Sequence, residues 1–276
     1  MWEKIQSIDQ RIIYVLLALS MIIPLFSPIG MPISINPDLT RKFYDFMEQL
    51  PAGSIVWIGP DYSPGASAEL DPQLAATFRH CMTKGHKVVI MSMWEQGAML
   101  ARNVTDPIAK EMGKKYGEDY VNLGYKPGRE AALRAMVADV WAGSAGVDIN
   151  GPKLGDLPLM AQVKKLDTCI AVCIDYSSGN PGDGDYRQYV TNPQGIPLLT
   201  GQVAVQVPTR LPIMRSGEMK GLIPGLRGAA EYEKLINKPG VATQLMDAQS
   251  MAHVVIVLFM VLGNIGYVAM RGKQGR

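Results

Sequence analysis

Hydrophobic and polar positions divide the chain into three parts. Two stretches, 12–35 and 250–270, contain no Asp, Glu, Lys or Arg. Between them, 36–249 alternates short apolar runs with segments whose apolar residues recur every three to four positions. Ser250–Met270, SMAHVVIVLFMVLGNIGYVAM, is a run without proline, and RGKQGR follows it. A helix of that length reaches roughly 30 Å, the thickness of a bilayer's hydrocarbon core. Ile12–Ile35 is the second run, with prolines at 24, 28 and 32 that end or kink a helix near Phe26. That helix can begin as early as Glu3. The pattern predicts an anchor over 1–35, a folded domain over 36–249, and a transmembrane helix with a basic tail over 250–276.

Within the middle part, SIVWIG (54–59) and KVVIMSM (87–93) read as buried strands. Residues 120–123, LDTCIAVCIDY (166–176) and VAVQV (203–207) add three more. Helical patterns lie between them: 36–51, a helix opened by Asp71-Pro72 and ended by Gly85, then 95–116, 129–141, a short one near 186–190, and 222–235. Strand and helix alternate throughout. The alternation predicts a three-layer α/β domain, a Rossmann- or flavodoxin-like, mostly parallel sheet of about five strands, flanked by the two transmembrane helices.

Charge sharpens this picture. Five basic residues, Lys4, Arg11, Arg271, Lys273 and Arg276, sit in the short terminal tails. By the positive-inside rule both termini are cytoplasmic and the α/β domain is extracytoplasmic, although Arg41 and Lys42 beyond the first span pull the other way. Net charge is +2, without a basic block in the middle part, which excludes a nucleic-acid surface. The three cysteines, Cys81, Cys169 and Cys173, cannot form a paired framework and leave the redox compartment open. Within the last span, Gly263, Asn264 and Gly266 combine an amide with small residues. That combination suits contact with another helix; the alternative is an interfacial Asn that finds water.

Candidate chemistry comes from loops. In open parallel sheets, ligands bind beyond the strands' C-terminal ends, where the strand order reverses. A flavodoxin-like order, 2-1-3-4-5, would bring together the loops after the first and third strands, with Asp61, Tyr62, Ser63, Gly65, Asn122 and Tyr125. The loop after the fourth strand would add Asp175 and Ser177. Turn and capping chemistry explains the same residue types equally simply. GPDYSPGA is not a dinucleotide fingerprint, and neither a phosphate-binding GxxxxGK[ST] nor a GxSxG elbow occurs. None of the three histidines is placed to activate a Ser or Cys, the acids of GNPGDGD lack cation-loop spacing, and no cofactor or metal is implied.

DYSPGASAEL, YGEDYVNLGYKPG, GLRGAAEYEKL and MDAQSMAHVVIVLFMVLGNIGY resemble uncharacterised prokaryotic membrane proteins that carry an α/β domain between two membrane helices. The layout is more distantly similar to the extracytoplasmic auxiliary domains of gliding-type transport systems. Neither resemblance lends an activity or a site residue. The sequence thus points to a non-catalytic accessory or structural subunit of a membrane complex. Its partners would be membrane lipid and other subunits or further copies of itself. The alternatives are a tethered hydrolase using Asp61 and Asp175 on an envelope substrate, and a tethered solute sensor.

Overall fold

The computed structural model describes residues 9–151 and 153–274, and a helix start near Glu3 lies outside them. The chain forms two compact units, Ser34–Ala242 and the pairing of Met1–Ile33 with Thr243–Arg276. In chain order come α1 (Gln10–Phe26), α2 (Thr40–Gln49), β1 (Ile55–Asp61), α3 (Ser67–Lys84), β2 (Lys87–Ser92) and α4 (Gly97–Glu111). Then follow β3 (Tyr120–Tyr125), α5 (Glu130–Ala138), β4 (Ile170–Ser177), β5 (Leu198–Gln202), α6 (Val207–Ser216), β6 (Gly221–Pro224), α7 (Gly225–Leu235) and α8 (Val241–Gln274).

The six strands form one sheet in the order β3-β2-β1-β4-β5-β6, every pair parallel. This is a Rossmann-like arrangement. The order reverses between β1 and β4, so the flavodoxin-like alternative does not hold. One face carries Val56, Ile58, Val172 and Ile174 against α2, α3, α4 and α7. The other carries Trp57, Val89, Cys173 and Leu198 against α5 and the irregular segment 140–166. Burial on both faces explains why the strands read as unbroken apolar runs.

Three local readings are corrected. VAVQV is a 3-10 turn running into α6, and the strand is the preceding LLTGQ, hidden by its Gly and polar residues. β6 occupies four residues at the start of what reads as a helix, because Pro224-Gly225 separates the two. The helix expected from Asp71-Pro72 starts earlier, at Ser67, and Asp71 instead accepts a hydrogen bond from the Tyr62 hydroxyl at 2.7 Å.

The helical unit has a polar clasp. Asp247 of α8 is fully buried, and its carboxylate accepts the consecutive backbone N–H groups of Ile29, Gly30 and Met31 at 2.8, 2.8 and 2.9 Å. It thereby ties the segment after α1 to α8. Val241–Val268 is long and apolar enough to cross a membrane, whereas α1 has 17 residues, the lower end of the spanning range. The 14-residue linker expected over 236–249 is mostly helix: α8 begins at Val241, where Glu233 accepts from Gly240 and Ala242 N–H.

Asp247→Ala strands three amides and is expected to cost about 3 kcal/mol. Limited proteolysis of the detergent-solubilised chain should then cut faster at 27–33; an unchanged cleavage rate would contradict the clasp.

Candidate functional site

The parallel register places nine residues of β1, β4 and β5 in a grid on one face. Trp57, Cys173 and Leu198 form the first row, Gly59, Asp175 and Thr200 the second, and Asp61, Ser177 and Gln202 the third. Side chains two apart on a strand share a face, so all nine point the same way. The apolar row continues the core. The two polar rows lie at the C-terminal ends of the strands, across the reversal in strand order. Asp61 is 1% exposed and Asp175 0%.

Hydrogen bonds lock one oxygen of each acid. Asp61 Oδ1 accepts from Met93 N–H at 2.6 Å and Ser92 Oγ at 3.1 Å. Asp175 Oδ2 accepts from Ser177 Oγ at 2.6 Å, with Gln202 Nε2 and Thr200 Oγ1 at 3.5 Å. Asp61 Oδ2, Asp175 Oδ1 and Gln202 Oε1 have no partner. Burial pushes the Asp61 carboxyl up to about 7, against which the donors at Met93 and Ser92 act. Burial also raises Asp175 well above the carboxylate range, reinforced by the charges of Asp61 and Asp183.

The segment after β4 covers the grid. Tyr186 is fully buried, and its hydroxyl lies where a Cβ on Gly59 would be. Gly59 is therefore required for the ring to sit over the acids. Gly182 likewise leaves room for Ser177 Oγ. Asp183 is fully buried and faces Arg210 Nη2 at 2.8 Å and Arg187 Nε at 3.5 Å. The Arg210 contact is an ion pair without hydrogen-bond geometry. Asp185 pairs with Arg129 at 2.8 Å. Asp61 and Asp175 have no ion-pair partner among the described residues.

Of the residues expected at the site, Asp61, Asp175 and Ser177 come together. Tyr62 points into the opposite core, while Ser63 and Gly65 lie at the surface near the start of α3. Asn122 is in the outermost strand, its amide donating to Ala98 O at 2.8 Å, and Tyr125 is exposed at that strand's end. The 3-2-1-4-5-6 order removes β3 from the reversal, and Asn122 and Tyr125 with it. In α8, Asn264 Nδ2 donates to Met260 O of its own helix at 2.9 Å. Gly263 faces open space, and Gly266 is buried. Thr200, Gln202, Tyr186 and Arg210 were missed, whereas Asp183 was already among the acids of the GNPGDGD loop. The alternation of LLTGQ, apolar-polar on one face, was the signal for the first two.

His80 is no general base for this site. Its Nδ1 meets the Tyr232 hydroxyl at 2.7 Å and its Nε2 meets Glu48 at 2.9 Å, clamping α2, α3 and α7 together. Among the described residues, no group of three or more His, Cys, Asp or Glu is placed to hold a metal ion. No family model matches the chain, and no curated protein matches it.

Asp61 is raised from the ordinary 3.8 to about 7, so its stabilising contribution is complete below pH ~4 and is lost as pH rises towards 7. Asp61→Asn should flatten the dependence of Tm on pH between 4 and 7 and raise Tm at pH 8. A variant with the wild-type slope would contradict this. Gly59→Ala should cost about 1–3 kcal/mol or more through the clash with Tyr186, read as a lower Tm; an unchanged Tm would refute the packing role.

Proposed function

We propose that this chain is a membrane-anchored, non-catalytic subunit of a larger membrane assembly, with an α/β domain that binds a partner or small ligand at the reversal of its sheet. The carrying observation is the enclosure of Asp61 and Asp175 without an ion-pair partner among the described residues, each with one oxygen outside any hydrogen bond. Buried acids of that kind oppose folding at neutral pH, which is characteristic of groups kept for binding rather than stability. Their enclosure weighs against a hydrolase, which needs an acid-lined crevice open to substrate. A tethered solute sensor is the second reading, favoured by the unpaired oxygens of those same acids.

The anchor supports the assembly reading. α8 exposes Val254, Ile256, Val257, Leu258, Met260 and Val261, and α1 exposes Ile12, Val15, Leu16 and Leu19. Such surfaces suit lipid or neighbouring helices. The Asp247 clasp suits a hairpin in which both helices span, with both termini on one side of the membrane; the basic tails favour the cytoplasmic side.

Purification in mild detergent should yield co-purifying chains or a homo-oligomer; a lone monomer would overturn the subunit reading. For topology, Gly65→Cys in a Cys169→Ser background should react with a membrane-impermeant maleimide on intact cells. Labelling only after lysis would place the domain in the cytoplasm instead.

A further inference from the structure

The floor and roof of the grid are unequal. The floor offers three acceptors without donors, Asp61 Oδ2, Asp175 Oδ1 and Gln202 Oε1, one from each of three adjacent strands. Tyr186, 0% exposed, sets its hydroxyl against Gly59 of β1, two residues before Asp61 and in the row of Asp175. Trp57 occupies the row beneath; the hydroxyl lies close enough to Asp61 and to the Trp57 indole N–H to act on both, without good hydrogen-bond geometry to either. Beside the grid, α6 buries none of its residues, and the turn leading into it leaves Val205 81% exposed. Arg210 of α6 nevertheless reaches the fully buried Asp183. Gly217, at φ +83°, ends the helix.

We propose that this site binds a small organic cation carrying a primary ammonium group, and that α6 is its gate, latched by Arg210 on Asp183. The proposal rests on the reading of the domain as a binding module and names the chemistry of its ligand. Charge decides the class. Asp183 has Arg210 and Arg187, and Asp185 has Arg129, but among the described residues Asp61 and Asp175 form no ion pair, and only the charge of Arg210 acts on Asp175, from a distance. An anion would meet three carboxyl groups here. An ammonium group brings the charge that lets these acids ionise, the proton held in the empty site leaving to solvent, and offers three donors for the three oxygens. The Trp57 and Tyr186 rings add faces that attract a cation. Among the described residues no group of three or more His, Cys, Asp or Glu is placed to hold a metal ion; an organic ammonium matches the acceptors that are present. Opening costs little packing, because a helix without buried residues leaves few apolar contacts behind.

The test uses the full chain in detergent at pH 8, with butane-1,4-diamine and butylamine as probes and butane-1,4-diol as the uncharged control. The amines should raise Tm in a concentration-dependent way, and the diol should not. Asp61→Asn and Asp175→Asn should each weaken amine binding about tenfold or more, while Tm without ligand stays at or above wild type. Arg210→Gln, which frees the gate, should speed binding several-fold in stopped-flow tryptophan fluorescence. A response seen only in Arg210→Gln supports a closed gate in the wild type. No amine response in either wild type or Arg210→Gln overturns the proposal, as does a response that survives both Asn substitutions. Failure here with partner chains still co-purifying would overturn the ligand class alone; loss of co-purification with amine binding intact would overturn the subunit reading alone.

Discussion

Two carboxyl groups without a cation, buried where a parallel sheet reverses its strand order, set the constraint on the domain. A charged carboxylate in such surroundings is costly, and the group responds by holding its proton. Everything nearby is arranged around that cost. Met93 N–H and the Ser92, Ser177 and Thr200 hydroxyls serve one oxygen of each acid. The absent side chain of Gly59 lets Tyr186 close over them. Further out, Asp183 and Asp185 are balanced by arginines from the residue before α5, from α6 and from the turn after Tyr186. The arginines thus pair with the outer acids, and only the charge of Arg210 reaches inward, to Asp175.

The helical unit solves a related problem differently. Asp247 is also buried, but three backbone N–H groups converge on its carboxylate. Here the acid is fully used as a structural link between α8 and the segment following α1. The contrast between Asp247 and the Asp61–Asp175 pair separates an acid that holds structure from acids that leave oxygens unpaired.

Much of this architecture was legible in the sequence. Uncharged runs marked α8 and α1, and the apolar runs around Val56, Val88 and Val172 marked the three central strands, because strands buried on both faces leave an unmistakable pattern. Asp61, Asp175 and Ser177 could be named because they end such strands. What remained hidden depends on contacts distant in sequence. Strand order is not encoded in any one segment, so Asn122 and Tyr125 were grouped with a reversal that lies two strands away. β5 was displaced because LLTGQ carries Thr, Gly and Gln among its five residues, while VAVQV next to it has the stronger strand propensity and yet forms a turn. Tyr186 gives no sign of its position, which exists only because Gly59 is 127 residues earlier in the chain and lies beneath it.

The account therefore turns on the protonation of the inner pair. Carbon-13 NMR of the aspartate carboxyls as a function of pH, with Asp61→Asn used for assignment, reads it directly. The account predicts a carboxyl resonance from Asp61 with a midpoint near 7. A midpoint in the ordinary range near 4 for Asp61 would show that the pair is solvated or already neutralised, and would contradict the account.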